Sequence, residues 1–272
     1  MSKIIAHSLV RNEERFVWYS ITSVLPYVDK VMVWDTGSTD KTVEIIKLIE
    51  SPKIEFKEVG PVDVDTFTQV RQQMLDSTPK DYDWLMILDG DEIWPSFGIK
   101  AAIDFCHSHP ESESLVVRTR NLVGDIYHRL PESSGRYHLA GRTGHLALRF
   151  MHLKNLPGLH AAKPHGQLGY FVTGGHLVQN LKPSFLDIYY HHATHLLRSP
   201  ASPEVPKRQQ KYKYEIGEKV LLRDQPRSFF IPRPSPVPDV TYPASIGFWI
   251  ISSLLTPLRK LRRTLLPLPH GY

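Results

Sequence analysis

The sequence predicts an α/β fold: a mostly parallel central sheet with helices on both faces, followed by a basic and apolar helical tail. Three observations carry this expectation. Short apolar runs alternate with helix-period segments through the first hundred residues, polar clusters follow three of those runs, and the basic charge is confined to the end of the chain.

Taken in order, Ile4 to Leu9 reads as a buried strand, Glu14 to Val24 as a helix and Val31 to Trp34 as a second strand. Lys41 to Ile49 reads as a second helix, with Ile45, Ile46, Leu48 and Ile49 for its buried side; Ser38, Thr39 and Asp40 are each suited to cap it. Ile54 to Val59 is a third strand, Phe67 to Leu75 a third helix and Trp84 to Leu88 a fourth strand. A βαβαβαβ order implies parallel pairing, and ligands of such sheets bind beyond the carboxyl ends of the strands. Arg11-Asn12-Glu13-Glu14, Asp35 to Asp40 and Asp89-Gly90-Asp91-Glu92 all fall there, so three strand ends are expected to converge on one cleft.

After Trp94 the pattern loosens. Leu115 to Thr119, Leu146 to Met151 and Phe185 to Tyr190 look like strands, separated by stretches rich in Gly, His, Arg and Pro that suit a mobile wall. No internal repeat is visible. Ser199 to Pro206 marks a break, and Arg227 to Pro243 holds too many prolines for a continuous helix or central strand. The expected division is a catalytic-type domain over residues 1–214 and a Pro-rich, basic and apolar tail over 215–272.

With 272 residues, 41% of them hydrophobic, the chain can bury a full core. Its single cysteine, Cys106, excludes an internal disulfide framework and fits a reducing compartment; no paired base near it suggests a nucleophile. Met1-Ser2-Lys3 leads into Ile4-Ile5-Ala6 without a signal-type apolar region, so the expected location is cytoplasmic. From Lys207 to Tyr272 the chain has 12 Lys or Arg against 4 Asp or Glu, and the preceding part is slightly acidic. That asymmetry argues against a nucleic-acid binder and places the basic character in the tail.

The chemistry concentrates at Trp84 to Glu92, an apolar run ending in an acidic cluster around Gly90. Buried carboxylates at a strand end are costly unless a cation meets them. Hard oxygen ligands suit Mg2+ or Mn2+, which commonly share their shell with substrate phosphates. Taken alone, the triplet Asp89-Gly90-Asp91 fits a strand followed by a solvated acidic turn better. No G-x-G-x-x-G follows the first strand and no G-x-x-x-x-G-K-[ST] occurs, so the phosphate loops of dinucleotide and P-loop sites are missing.

Four elements in order resemble the family-2 glycosyltransferases of GT-A fold: Ser8 to Glu14 as the opening strand and Asn-Glu turn, Asp35-Thr36-Gly37-Ser38-Thr39-Asp40 as the Asp-Gly-Ser-x-Asp turn, Val70-Arg71-Gln72 as the helix motif, and Asp89-Gly90-Asp91 as the Asp-x-Asp. The resemblance covers about the first hundred residues. It implies a nucleotide-sugar donor of UDP, GDP or dTDP type, a divalent cation (Mn2+ or Mg2+), and a glycan or lipid-linked acceptor. Arg11, Asn12, Glu13, Asp35 and Ser38 would line the donor site, Glu13 and Asp35 accepting from ribose or base. Arg71 would stabilise base or phosphate, Asp89 would approach the ribose or metal-bound water, and Asp91 would ligate the cation. Gly90 lacks Cβ and lets both carboxylates turn to one point. Read without the resemblance, Asp35 and Asp40 are turn and cap residues, Arg71 is a solvated helix residue, and Glu14 and Glu92 are bystanders.

In the second half the resemblance thins, because the Glu-Asp pair with which many inverting relatives supply the base is absent. His165, in Lys163-Pro164-His165-Gly166, is the first candidate for the base, with His160 and Asp187 behind it. A histidine late in the domain is a further metal ligand in many such enzymes, and His192 and His195 occupy the comparable place. H-x-x-H without cysteine or a third ligand is a poor zinc signature. Ser245 to Leu255 is apolar but too short to span a bilayer, and Pro257 opens a second short segment with Leu258, Leu261 and Leu265 opposing Arg259, Lys260, Arg262 and Arg263. Residues 245–265 are therefore expected to lie on the inner membrane face or to pack on the domain. The leading expectation is a metal-dependent glycosyltransferase; the alternatives are a nucleotide-sugar-binding or scaffold protein without turnover and, since Arg11-Asn12-Glu13 replaces the Gly-rich loop it needs, less readily a sugar-phosphate nucleotidyltransferase.

Overall fold

Period-two alternation builds the centre of the molecule. Strands β1 (Ile4–Val10), β2 (Lys30–Asp35), β3 (Ile54–Glu58) and β4 (Trp84–Ile87) are joined through helices α1 (Val17–Val24), α2 (Thr42–Lys47) and α3 (Phe67–Asp76). They pair in parallel in the order β3-β2-β1-β4. Ile4, Ala6, Val31, Val33, Trp84 and Met86 pack on one face with α1 and α2. Ile5, Met32, Trp34, Leu85 and Ile87 pack on the other with Met74 and Leu75 of α3. Helices thus cover both faces of the parallel half, as the sequence predicts.

The computed structural model describes residues 1–163, 169–205 and 208–265. After β4 come β5 (Glu92–Ile93), α4 (Ser96–Ser108), β6 (Ser114–Val123) and β7 (Asp125–Arg129). A hairpin of β8 (Tyr137–Leu139) and β9 (Arg142–Gly144) precedes β10 (Leu146–His152), and a second of β11 (His160–Ala162) and β12 (Gly169–Phe171) precedes β13 (Ser184–His192). Strand β10 lies antiparallel between β4 and β6, which turns the parallel half into a mixed sheet. β13 runs parallel to β6 and antiparallel to β5, setting His192 opposite Glu92. Helix α4 has no counterpart among the expected elements, although Ile99, Ala102, Ile103 and Cys106 bury at helical spacing.

The chain after residue 214 is not an appendage. β14 (Glu218–Lys219) pairs with β7, and Val220, Phe229, Val237 and Val240 join the core that contains Trp84 and Trp94. After the short α5 (Arg208–Lys211), the last element is α6 (Ile246–Leu265), one helix where two segments divided at Pro257 were expected. Proline removes one ladder hydrogen bond, so the helix continues only because its two halves are held to the body. Phe248 sits over Gly124 and stacks on Tyr214, the Ile216 N–H donates to Thr256 Oγ1, and Arg263 makes a bidentate pair with buried Glu215. The inward row Phe248, Ser252 and Thr256 continues at helical spacing as Arg259 and Arg263. The outward row Ile246, Ile250, Leu254, Leu258, Leu261 and Leu265 is exposed along its whole length. Among the described residues, no helix is long and apolar enough to cross a membrane.

Strand β1 also buries His7, whose Nε2 lies 3.0 Å from Thr78 Oγ1. Burial, aided by the positive charge of Arg71, lowers its pKa to about 3. A histidine neutral in the fold and titrating near 6.5 when unfolded contributes stability above that pH and loses it as pH falls toward 3. The expected slope is about 1.4 kcal/mol per pH unit below pH 6. Urea unfolding between pH 7 and 5 should show it, and His7→Gln should remove one proton from that dependence; an unchanged slope would contradict the assignment.

Candidate functional site

The first two strand ends build a rigid loop pair. Asn12 has φ +54° and is fully buried; its N–H donates to Ser38 Oγ, and its Oδ1 accepts from the Thr39 N–H at 2.8 Å. Asp35 accepts from the Gly37 and Ser38 N–H groups at 3.0 and 2.9 Å and from the Ser38 hydroxyl. Arg11 donates to the Val62 carbonyl at 3.0 Å. Asn12, Asp35 and Ser38, three of the residues expected at the donor site, thus also shape the two turns that carry them.

Glu13 faces inward from that loop into a charge network. Its Oε1 accepts from Arg198 Nη1 at 3.1 Å and Arg208 Nη2 at 2.6 Å, and the same Arg198 Nη1 stands 2.8 Å from Asp91 Oδ2. His192 Nε2 stands 3.3 Å from that Asp91 oxygen. Glu13, Asp91, Arg198 and Arg208 are all buried. Burial opposes ionisation of Asp91, yet Arg198 and His192 hold its carboxyl well below the usual range. Burial wins at Glu13 and pushes its carboxyl up to about 7 in spite of Arg198.

The other two carboxylates of the acidic turn meet a third arginine. Arg149 Nη2, from β10, contacts Glu92 Oε1 and lies 3.5 Å from Asp89 Oδ2, while its Nε donates to the Tyr190 hydroxyl at 3.0 Å. The Asp89 N–H donates to Glu92 Oε2 at 3.3 Å. Burial and the neighbouring Asp89 and Asp91 raise the Glu92 carboxyl well above its ordinary value against the pull of Arg149. At Asp89 burial is outweighed by Arg149 and Arg71, and its pKa is lowered.

Among the described residues, Asp89, Glu92 and His192 bring one ligating atom each to within 4.8 Å of one another. Two carboxylate oxygens and one imidazole nitrogen suit Mn2+ or Mg2+. The set also fits a cation on electrostatic grounds, because three carboxylates crowd one turn and Arg149 alone leaves Glu92 reluctant to ionise. Asp91, expected as the direct ligand, pairs through Oδ2 with Arg198 and stands 3.3 Å from His192 of this group. Glu92, read as a bystander, stands within it. His195 lines the same cavity outside the group; its Nδ1–H donates to the Lys211 carbonyl at 2.6 Å, and burial lowers its pKa to about 2, leaving Nε2 as the lone-pair nitrogen.

Asp89, Arg149 and His192 of this network line a cavity of about 810 Å³, with Arg71, Tyr170 and His195 among the other lining residues. Arg71 Nη1 donates to the Tyr170 hydroxyl at 3.3 Å. His160 hydrogen-bonds the Gly158 carbonyl, and Asp187 pairs with Arg118 of β6; neither lines the cavity. His165 lies outside the described residues. Arg149, Arg198 and Arg208 were missed from sequence. Only Arg149 left a signal, a cation inside the apolar run Leu146 to Met151.

No protein-family model matches the sequence, and no curated protein matches it. Among solved structures, S. aureus TarS is similar at 15% identity over 71% of this chain and 37% of its own, with a TM-score of 0.48. Its 1–349 fragment matches at 16% identity over 55% and 47%, with a TM-score of 0.42. Glucosyl-3-phosphoglycerate synthase from Mycobacterium tuberculosis, solved with Mn2+ and UDP-glucose, matches at 21% identity over 44% of each chain, with a TM-score of 0.34. The chain spans less than half the length of each of these structures.

Gly90 is where the acidic turn touches the Glu13 network. A Cβ there would meet Glu13 Cγ at 2.9 Å and Val10 Cγ1 at 3.1 Å. Glu13 cannot swing aside while two arginines hold it, so Gly90→Ala is expected to cost about 1–3 kcal/mol and to weaken Mn2+ binding by displacing Asp89. Thermal unfolding and titration of free Mn2+ by electron paramagnetic resonance read both effects; a variant as stable and as tightly bound as wild type would show the contact to be slack.

Proposed function

We propose that the protein is a metal-dependent glycosyltransferase of GT-A type, moving a sugar from a nucleotide-sugar donor of UDP, GDP or dTDP type to a glycan or lipid-linked acceptor. One observation carries this reading: Asp89, Glu92 and His192 converge beyond the carboxyl end of β4, and Asp89 and His192 line a cavity of about 810 Å³ together with Arg71 and Arg149. That volume suits a ligand of nucleotide-sugar size. The four ordered motifs of the first hundred residues support the same assignment.

A divalent cation held by Asp89, Glu92 and His192 would act as a Lewis acid toward the diphosphate. The protein's own groups are arranged to assist. Arg149 and Arg71 place fixed positive charge beside Asp89, where it would meet negative charge developing on a leaving diphosphate. Arg198 holds Asp91, so the turn carrying Asp89 and Glu92 is fixed from behind. The neutral imidazole of His195 offers Nε2 to the same cavity as an acceptor.

The outward apolar row of α6 supports a peripheral membrane contact beside the cavity. Flotation with vesicles of phosphatidylcholine and phosphatidylglycerol tests it. Leu254→Ser/Leu258→Ser is expected to lose binding while keeping its fold, and equal flotation of the double variant would refute the contact.

The donor site is tested by thermal shift with nucleoside diphosphates, with and without Mn2+, followed by donor hydrolysis. Wild type is expected to be stabilised by one base in the presence of Mn2+ and to turn its sugar nucleotide over. Asp89→Ala should weaken Mn2+ binding about tenfold or more and abolish turnover. Absence of any diphosphate or donor binding would overturn the function, and binding without turnover by wild type would favour the scaffold reading.

A further inference from the structure

The cavity has a second end that the donor reading does not use. Away from Asp89 it is walled by Arg136, Lys213, Arg259, Arg262 and Arg263, with Lys211 at its edge. Of these, only Arg263 has a carboxylate partner among the described residues, buried Glu215. Arg136 donates to the Arg263 carbonyl at 3.4 Å and leaves its buried Nε unpartnered. Lys213 is half-buried, and burial lowers its pKa although Glu215 raises it, with Arg263 and Arg259 adding to the depression. Cations brought together and partly removed from water destabilise the fold unless an anion meets them.

The arrangement is constructed by the fold. The inward face of α6 changes from Phe248, Ser252 and Thr256, which pack on the body, to Arg259 and Arg263, which overhang the cavity. The Glu215 pair and the Thr256 hydrogen bond fix the helix at that point. His145 stands in the same wall, its pKa lowered by burial with Lys213 and Arg263 contributing. The donor end is served by Arg71 and Arg149 and includes the carboxylate of Asp89, whereas this end carries several positive charges and one buried carboxylate.

We propose that the cationic end of the cavity binds a phosphate group of the acceptor. This rests on the glycosyltransferase reading for the word acceptor, but not for the phosphate site itself. A phosphate oxyanion can take several guanidinium and ammonium donors at once, which matches a wall of convergent Arg and Lys with few internal partners. The phosphate can belong to a soluble phosphorylated acceptor or to a lipid headgroup; the recognition chemistry is the same.

The test uses the full chain and Arg259→Ala/Arg262→Ala, since neither side chain has a hydrogen bond or ion pair recorded among the described residues. Three probes are titrated: inorganic phosphate, phosphatidylcholine vesicles with and without phosphatidic acid, and the nucleoside diphosphate with Mn2+. Phosphate is expected to bind wild type, and the double variant to bind it about tenfold more weakly, with nucleoside diphosphate affinity unchanged. Binding of phosphate alone identifies a soluble source, and additional binding to phosphatidic acid vesicles identifies a headgroup; both support the site. Equal phosphate affinity in the two proteins would overturn the proposal, as would complete displacement of phosphate by one equivalent of nucleoside diphosphate, which would assign the wall to the donor. Failure of the nucleoside diphosphate to bind, with phosphate binding intact and sensitive to the substitutions, would remove the donor reading and leave the phosphate site standing.

Discussion

Four carboxylates, Glu13, Asp89, Asp91 and Glu92, are gathered at the carboxyl ends of β1 and β4, and their compensation is the constraint on which the rest of the structure depends. Three of the four are buried, where an uncompensated charge is costly. The fold answers with Arg149 from β10, and with Arg198 and Arg208 from the chain after β13. Each arginine draws a remote segment onto the parallel half of the sheet. Arg198 does most to unify them, because one of its nitrogens serves both Glu13 and Asp91 and so clamps two adjacent strand ends together.

That clamp leaves a division of labour in the acidic turn. Asp91 and Glu13 look back into the protein and hold the loops, while Asp89 faces the cavity, and Glu92 stands with it and His192. A residue on either side of Gly90 therefore has a different task, and the missing Cβ allows the turn to lie against Val10 and Glu13. Cations line the cavity on both sides: Arg71 and Arg149 around Asp89 beside β4, and Arg136, Lys213, Arg259 and Arg262 beneath α6.

The parallel half was legible because its physics is local. Alternation in β1, β2 and β4, and turn residues at Asn12, Asp35 and Gly90, follow from spacing alone. What pairs with those residues was not legible, since Arg198 and Arg208 lie far along the chain in segments without periodicity, and nothing local in Leu197-Arg198-Ser199 announces a buried guanidinium. The proximity of Glu92 to His192 was hidden for the same reason, since it depends on β13 returning beside β5. At α6 a sound local rule about proline was overruled by tertiary contacts on both sides of Pro257.

The order of these charges along the chain has a consequence for biosynthesis. Every described ion-pair partner of Glu13, Asp89, Asp91 and Glu92 lies at residue 149 or beyond. A nascent chain that has emerged only through β4 holds the strands and the acidic turn but none of these partners, so closing that half early would bury unbalanced negative charge. Domains otherwise tend to gain structure from the N-terminus as they are made. Charge-balanced closure of these sheet ends therefore requires β10 and the segment from Arg198 to Arg208.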